Sequence, residues 1–193
     1  MQEETGAVKF EIKPIGVYSV TGKTRVNDTG EETFGLLCFA EITEFAKELH
    51  SEMEKVVLMD DLPENWRYPL IQPKLIEKYL QVKNNSIIGT IVTVTVDRPL
   101  GSYHPGHKDM HYPVNYGYIE GVMAPDGEEQ DAYILGVNEP VGKFTGKIIA
   151  IVQRKDDIEE KWVVVPDGMA FSKEEIRRQI HFQEQYFDSE IVM

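Results

Sequence analysis

The sequence predicts an α+β chain: a small antiparallel β-barrel closed by a C-terminal helix and preceded by a small α+β module. Three observations carry this prediction. Between residues 87 and 165, short runs with alternating apolar positions follow one another, separated by Gly, Pro and Asp turns, with no helical pattern between them. Beyond Pro166 the pattern turns helical. Before Ser86 strand-like and helix-like spacings are mixed.

Taken in order, Val8–Ile12 and Gly16–Val20 read as two short strands split by Pro14, and Thr21 to Glu32 is a polar, turn-rich stretch. Phe39, Ile42, Ala46, Leu49, Met53 and Val56 recur at steps of three and four, the stripe of an amphipathic helix, with Glu44, Glu48, Glu52 and Glu54 on its solvated side. Pro73 suits the first turn of a short helix bearing Leu75, Ile76, Tyr79 and Leu80. Gln81 to Ser86 reads as a linker, which divides the chain into an N-terminal α+β module, 1–85, and a barrel domain, 86–193. Strands are expected at Thr90–Val96, Tyr116–Val122, Ala132–Val137, Lys147–Val152 and Trp162–Val165. Ser172 with Glu175 three residues later is a capping box, and Ile176, Ile180 and Phe187 form the buried stripe of the last helix.

Composition narrows the function classes. The 193 residues hold 20 Lys and Arg against 33 Asp and Glu, a formal charge of −13. Such a surface repels phosphate backbones and anionic lipid, so neither nucleic acid nor a membrane surface is an expected partner. The longest uncharged buried-looking run, Asn84 to Val96, is too short for a bilayer, and the acidic N-terminus has no apolar signal region. Cys38 is the sole cysteine, which excludes an intramolecular disulfide and suits a reduced thiol in the cytoplasm.

Two familiar patterns fail on inspection. Gly16 to Thr24 is one residue too long for a phosphate loop and no helical pattern follows it. Asp126 to Val137 is not an EF-hand, because its last position cannot supply a carboxylate. What remains are two acidic clusters, Asp126, Glu128, Glu129 and Asp131, then Asp156, Asp157, Glu159 and Glu160. Alone, each also suits a solvated turn. Brought together, they would attract a hard cation such as Mg²⁺, which prefers oxygen ligands and supports phosphate hydrolysis.

The run Tyr112-Pro113-Val114-Asn115-Tyr116-Gly117-Tyr118-Ile119, followed at fixed spacing by Asp126-Gly127 and Asp131, resembles the metal-dependent, OB-barrel inorganic pyrophosphatases. The resemblance extends through Val96-Asp97-Arg98, the Asp156-to-Lys161 segment and Tyr186, and covers about residues 87–188. It implies a Mg²⁺-dependent hydrolase that splits pyrophosphate into two phosphates. Asp126, Asp131 and Asp156 would hold the metal, with Glu159 as a further ligand, and Glu128 would polarise the attacking water. Tyr116 would donate a hydrogen bond beside that water. Arg98, Lys161, Tyr112 and Tyr186 would bind phosphate oxygens, and a homo-oligomer is the family expectation.

Three departures accompany the resemblance. Glu128 and Glu129 stand where the family has Asp and Pro, Phe187 where it has a phosphate-binding Lys, and the family's upstream Lys-x-Glu finds no match before Arg98. The loop Gly101 to His111, with His104, His107, Lys108 and His111, is expected to lie over the site, with Lys108 first in line to replace the missing cations. Hydrolysis of another phosphate compound, or a binding module retaining the barrel, stays open on the sequence.

Overall fold

The computed structural model describes residues 5–22, 29–46, 63, 65–124, 126–157 and 159–193. These belong to two compact units, Met1–Val82 and Lys83–Met193. Among the described residues no helix is long and apolar enough to cross a membrane.

In the first unit, β1 (Ala7–Val20) pairs antiparallel with β2 (Thr33–Phe45). The two short strands expected around Pro14 are one strand. Pro14 has no N–H to give the ladder, and the register shift between Pro14 and Gly16 absorbs it as a bulge. The expected helix through Phe39 and Ile42 is also corrected: both residues lie in β2, opposite Lys13 and Phe10. Their step of three fits a helix, but the Thr- and Phe-rich composition of β2 and a partner strand of nearly the same length favour pairing. The remainder of that predicted stripe, Leu49, Met53 and Val56, lies outside the described residues, as do Lys23 and Thr24. Helix α1 (Gln72–Ile87) follows, with Pro73 in its first turn, where a missing N–H costs nothing. Tyr79 of this helix stacks on Phe39 at 5.3 Å between ring centroids.

The linker expected at Gln81 to Ser86 is helical. Its last turn is anchored within the second unit: Lys83 pairs with Glu160 at 3.1 Å, Asn84 is buried, and Ile87 and Ile88 pack against the barrel core.

The second unit contains β3 (Ile91–Arg98), β4 (Asn115–Met123), β5 (Glu129–Ile134), β6 (Lys143–Arg154), β7 (Glu160–Val165), α2 (Lys173–Glu184) and β8 (Ser189–Val192). The sheet runs β3-β4-β5-β7-β6-β8, and β3 also pairs with β6, so five strands close into a barrel. The barrel expected from the sequence is present, with one difference: β5 and β7 run parallel, which makes it mixed rather than antiparallel. Strand β8, absent from the sequence prediction, lines the second half of β6. The capping box at Ser172 and Glu175 is formed, whereas Phe187 lies beyond the helix end.

Alternation along the strands sorts side chains into two layers. Val94, Ile119, Ala132, Ile134, Ile148, Ile151, Trp162 and Val164, from all five strands, fill the interior. Tyr116, Tyr133, Ala150, Val152, Val163 and Val165 form an outer layer with Ile176 and Ile180 of α2. Every residue of β7 is therefore buried, which explains its unbroken apolar run. At Gly117 the chains cross so closely that a Cβ would stand 2.0 Å from the Thr95 carbonyl oxygen. Only glycine fits there.

Candidate active site

The outer layer turns polar at one end. On β5 the partners of Tyr133 in alternation include Asp131, and on β7 Lys161 precedes Val163 on the same face. The irregularity between Ile148 and Ala150 shifts the alternation of β6, so that Ala150, Val152 and Arg154 share this face as well. Tyr116 of β4 stands opposite Tyr133. Four strands thus deliver Tyr116, Asp131, Lys161 and Arg154 to one cavity of about 1100 Å³. Asn115, fully buried at the start of β4, ties two loops together: its side-chain oxygen accepts the Leu100 and Val141 N–H groups, and its amide donates to the Glu139 carbonyl at 2.9 Å.

Lys161 sits at the base with its side chain 2% exposed. Its ammonium donates to Tyr116 Oη and Asp131 Oδ2, both at 2.8 Å, and lies 2.9 Å from Glu159 Oε2. These three acceptors match its three protons and offset the cost of burying the charge. Tyr116 in turn donates to Asp131 Oδ2 at 2.5 Å. Burial, then the charge of Asp131, pushes its phenol well above the ordinary value, so the hydroxyl keeps its proton.

Arg154 forms the adjoining wall, and its side chain is 2% exposed. It donates to both oxygens of Glu184 at 2.8 and 3.2 Å, to Glu159 Oε2 at 2.6 Å and to Asp157 Oδ2 at 3.3 Å. The Phe187 ring lies under the guanidinium, 3.5 Å from centroid to Cζ. Burial opposes this charge, but the hydrogen bonds and charge of Glu184 outweigh it and raise the Arg154 pKa. Glu184 is itself held below the ordinary carboxylate value: burial pushes it up, and hydrogen bonds from Arg154, Ser189 and Tyr133 more than reverse the effect.

The acidic turn supplies the opposite wall. Gly127 takes a positive φ of 84°, Asp126 Oδ1 accepts the Glu128 N–H at 3.0 Å, and Glu128 O accepts the Ala124 N–H. Asp126, Glu128 and Glu129 line the cavity, and among the described residues none of the three has a cationic partner. Arg98 lines it from the end of β3, paired with Asp97, and its Nε has no hydrogen-bond partner among the described residues. Tyr112 stacks on His104 and lies tilted against Tyr116 in the same wall. From the loop above come His104, His107 and Lys108; His104 Nδ1 accepts the Gly106 and His107 N–H groups, while His111 packs on Tyr103 away from the cavity. Tyr186, 67% exposed, lines the mouth.

The cavity therefore gathers ten of the eleven residues singled out in the sequence. Asp156 is the exception. Its carboxylate accepts the Asp188 N–H at 3.0 Å, and Asp157 takes the place on the wall. Sequence reasoning passed over Arg154 and Glu184, and named Asp157 and Asp97 without giving either a role. The available signal for Arg154 was its place as the first charge after the apolar run Ile148 to Val152.

Eight carboxylates and four Lys or Arg side chains line the cavity, which is therefore net negative. Among the described residues no three His, Cys, Asp or Glu side chains are gathered closely enough to hold a metal ion. As a donor set, the two walls differ. Asp126, Glu128 and the second oxygen of Asp131 offer oxygens without cationic partners and fit a hard divalent cation in kind. Glu159 and Asp157 are already bound to cations and do not.

No curated protein matches this chain significantly. Similar solved structures include an inorganic pyrophosphatase from Coxiella burnetii, 19% identical over 54% of this chain and 84% of that one, with a TM-score of 0.42. Those from Ehrlichia chaffeensis (19% identity, 53% and 85% covered, TM-score 0.43) and Thermus thermophilus (17%, 53% and 80%, 0.39) are alike. The inorganic pyrophosphatase family model matches residues 80–186, more than half of the sequence and the stretch that builds the barrel and most of the cavity. On that match the chain belongs to the inorganic pyrophosphatase family, as a divergent member and a hydrolase.

Proposed function

We propose that the chain hydrolyses inorganic pyrophosphate to two phosphates in its acidic cavity, with Mg²⁺ as the cation. The observation that carries this reading is the charge of the cavity. Eight carboxylates against four cations repel pyrophosphate, so a substrate of that charge needs added positive charge to enter. The Asp126-to-Asp131 turn is where a divalent cation would be held, and when bound it supplies positive charge beside the phosphate oxygens.

The chain's own groups do the rest. Arg98, Tyr186 and Lys108 line the cavity and bind phosphate oxygens, whereas Tyr112, fully buried, packs behind them. Glu128 accepts the proton of the attacking water as its oxygen bonds to phosphorus and the bridging P–O bond breaks. Tyr116 acts through Asp131, holding that carboxylate in place with Lys161. The sole cysteine and the phosphate substrate suit the cytoplasm.

Lys161 favours a second reading, in which the natural substrate is another phosphate compound. Its three protons are engaged by Tyr116, Asp131 and Glu159, so it contributes no free donor to pyrophosphate. Phosphate release with Mg²⁺, measured for pyrophosphate beside nucleoside triphosphates and phosphomonoesters, decides between them. Release from pyrophosphate that falls in Asp131→Asn supports the first reading. Release only from another compound supports the second, and none from any sinks both.

A further inference from the structure

We propose that Arg154 is a resident cation that closes the Asp157–Glu159 wall to metal, so that the cavity takes a divalent ion on the Asp126-to-Asp131 wall alone. The inference rests on the reading above that this turn holds a cation.

The two walls differ in how much fixed positive charge they carry: Asp131 has Lys161 alone, whereas the other wall has Lys161 and Arg154. Glu159 Oε2 is shared between Arg154 at 2.6 Å and Lys161 at 2.9 Å, and Asp157 Oδ2 lies 3.3 Å from the same guanidinium. A divalent ion on Glu159 would stand beside two fixed positive charges and compete with both for one carboxylate. Arg154 has no easy way to withdraw. Its other nitrogens hold Glu184, a carboxylate 6% exposed that would be left buried and unpaired, and Phe187 lies flat beneath the group. Lys161 is equally committed, since it also anchors Tyr116 and Asp131. Asp126 and Glu128, by contrast, have no cationic partner among the described residues. Arg154 thus does by covalent attachment what an exchangeable ion would do on that wall: it neutralises Glu159 and Asp157.

Calorimetric titration of the full chain with Mn²⁺, without pyrophosphate, tests this. One ion per chain is expected. Glu159→Gln and Asp157→Asn should each leave the dissociation constant within about twofold, because neither touches the ion. Asp131→Asn should weaken it by roughly tenfold or more. Two ions per chain, or a tenfold loss in Glu159→Gln and in Asp157→Asn, overturns the inference while leaving the turn as a metal site. Failure of the unaltered chain to bind Mn²⁺ removes the metal reading of the turn, and this inference with it. Thermal unfolding of each variant separates lost binding from lost folding.

Discussion

Lys161 Nζ lies 2.8 Å from Asp131 Oδ2, joining two residues 30 positions apart on strands that run parallel. The pair joins the two walls of the cavity: Asp131 lies on β5 just past the acidic turn, and Lys161 holds Glu159 on its other side. Replacing Lys161 by Met removes the charge while keeping the stem. Asp131 then loses its cationic partner, Glu159 keeps Arg154 alone, and Tyr116 loses its donor. Both carboxylates retain some exposure, so the expected loss is moderate, about 1–3 kcal/mol, read from urea unfolding. Activity should fall with it, and a variant as stable as the unaltered chain would show that the ammonium is not needed to hold this wall.

Glu184 sets an acid limit. Its folded pKa lies below its unfolded value, so the unfolded chain binds the extra proton. The stability it contributes is therefore complete above the unfolded carboxylate value of about 4.3 and is lost as pH falls through the folded one. Melting temperatures measured from pH 7 down to pH 3 should drop, and Glu184→Gln should be less stable at pH 7 but show a flatter acid limb. Parallel curves for the two proteins would contradict the assignment.

Gly117 tests the close crossing of β3 and β4. A methyl group there meets the Thr95 carbonyl oxygen at 2.0 Å, and backbone on both sides prevents an easy shift. Gly117→Ala should cost at least about 1–3 kcal/mol by overpacking. It should also weaken protection of the β3–β4 amides in hydrogen exchange. An unchanged exchange pattern would mean that the crossing relaxes freely.

Lys108 lies on the loop over the cavity, exposed and with no acidic partner among the described residues. Lys108→Ala should raise KM for pyrophosphate several-fold, about the effect of losing one charge-assisted hydrogen bond, with little change in melting temperature. A KM equal to that of the unaltered chain would remove this loop from substrate binding.

Much of the barrel was legible along the chain because period-two alternation and turn residues act locally. The capping box at Ser172, the strand at Trp162 to Val165 and the spacing from Tyr112 to Asp131 needed no knowledge of distant partners. The N-terminal region was misread for the converse reason: Phe39 and Ile42 satisfy a helical step, and only pairing with β1 makes them strand. The helical course of Gln81 to Ser86 likewise goes with contacts that Lys83 and Ile87 make far along the sequence.

In the cavity the division is the same. Residue type and spacing pointed to ten of the residues that line it. The tertiary structure decided their pairing: Asp157 rather than Asp156 on the wall, Glu159 shared by two cations, Arg154 joined to a glutamate 30 residues away. Side-chain charge is a property of a residue, whereas neutralisation is a property of a distance, and only folding brings β6, β7 and the end of α2 close enough to settle it.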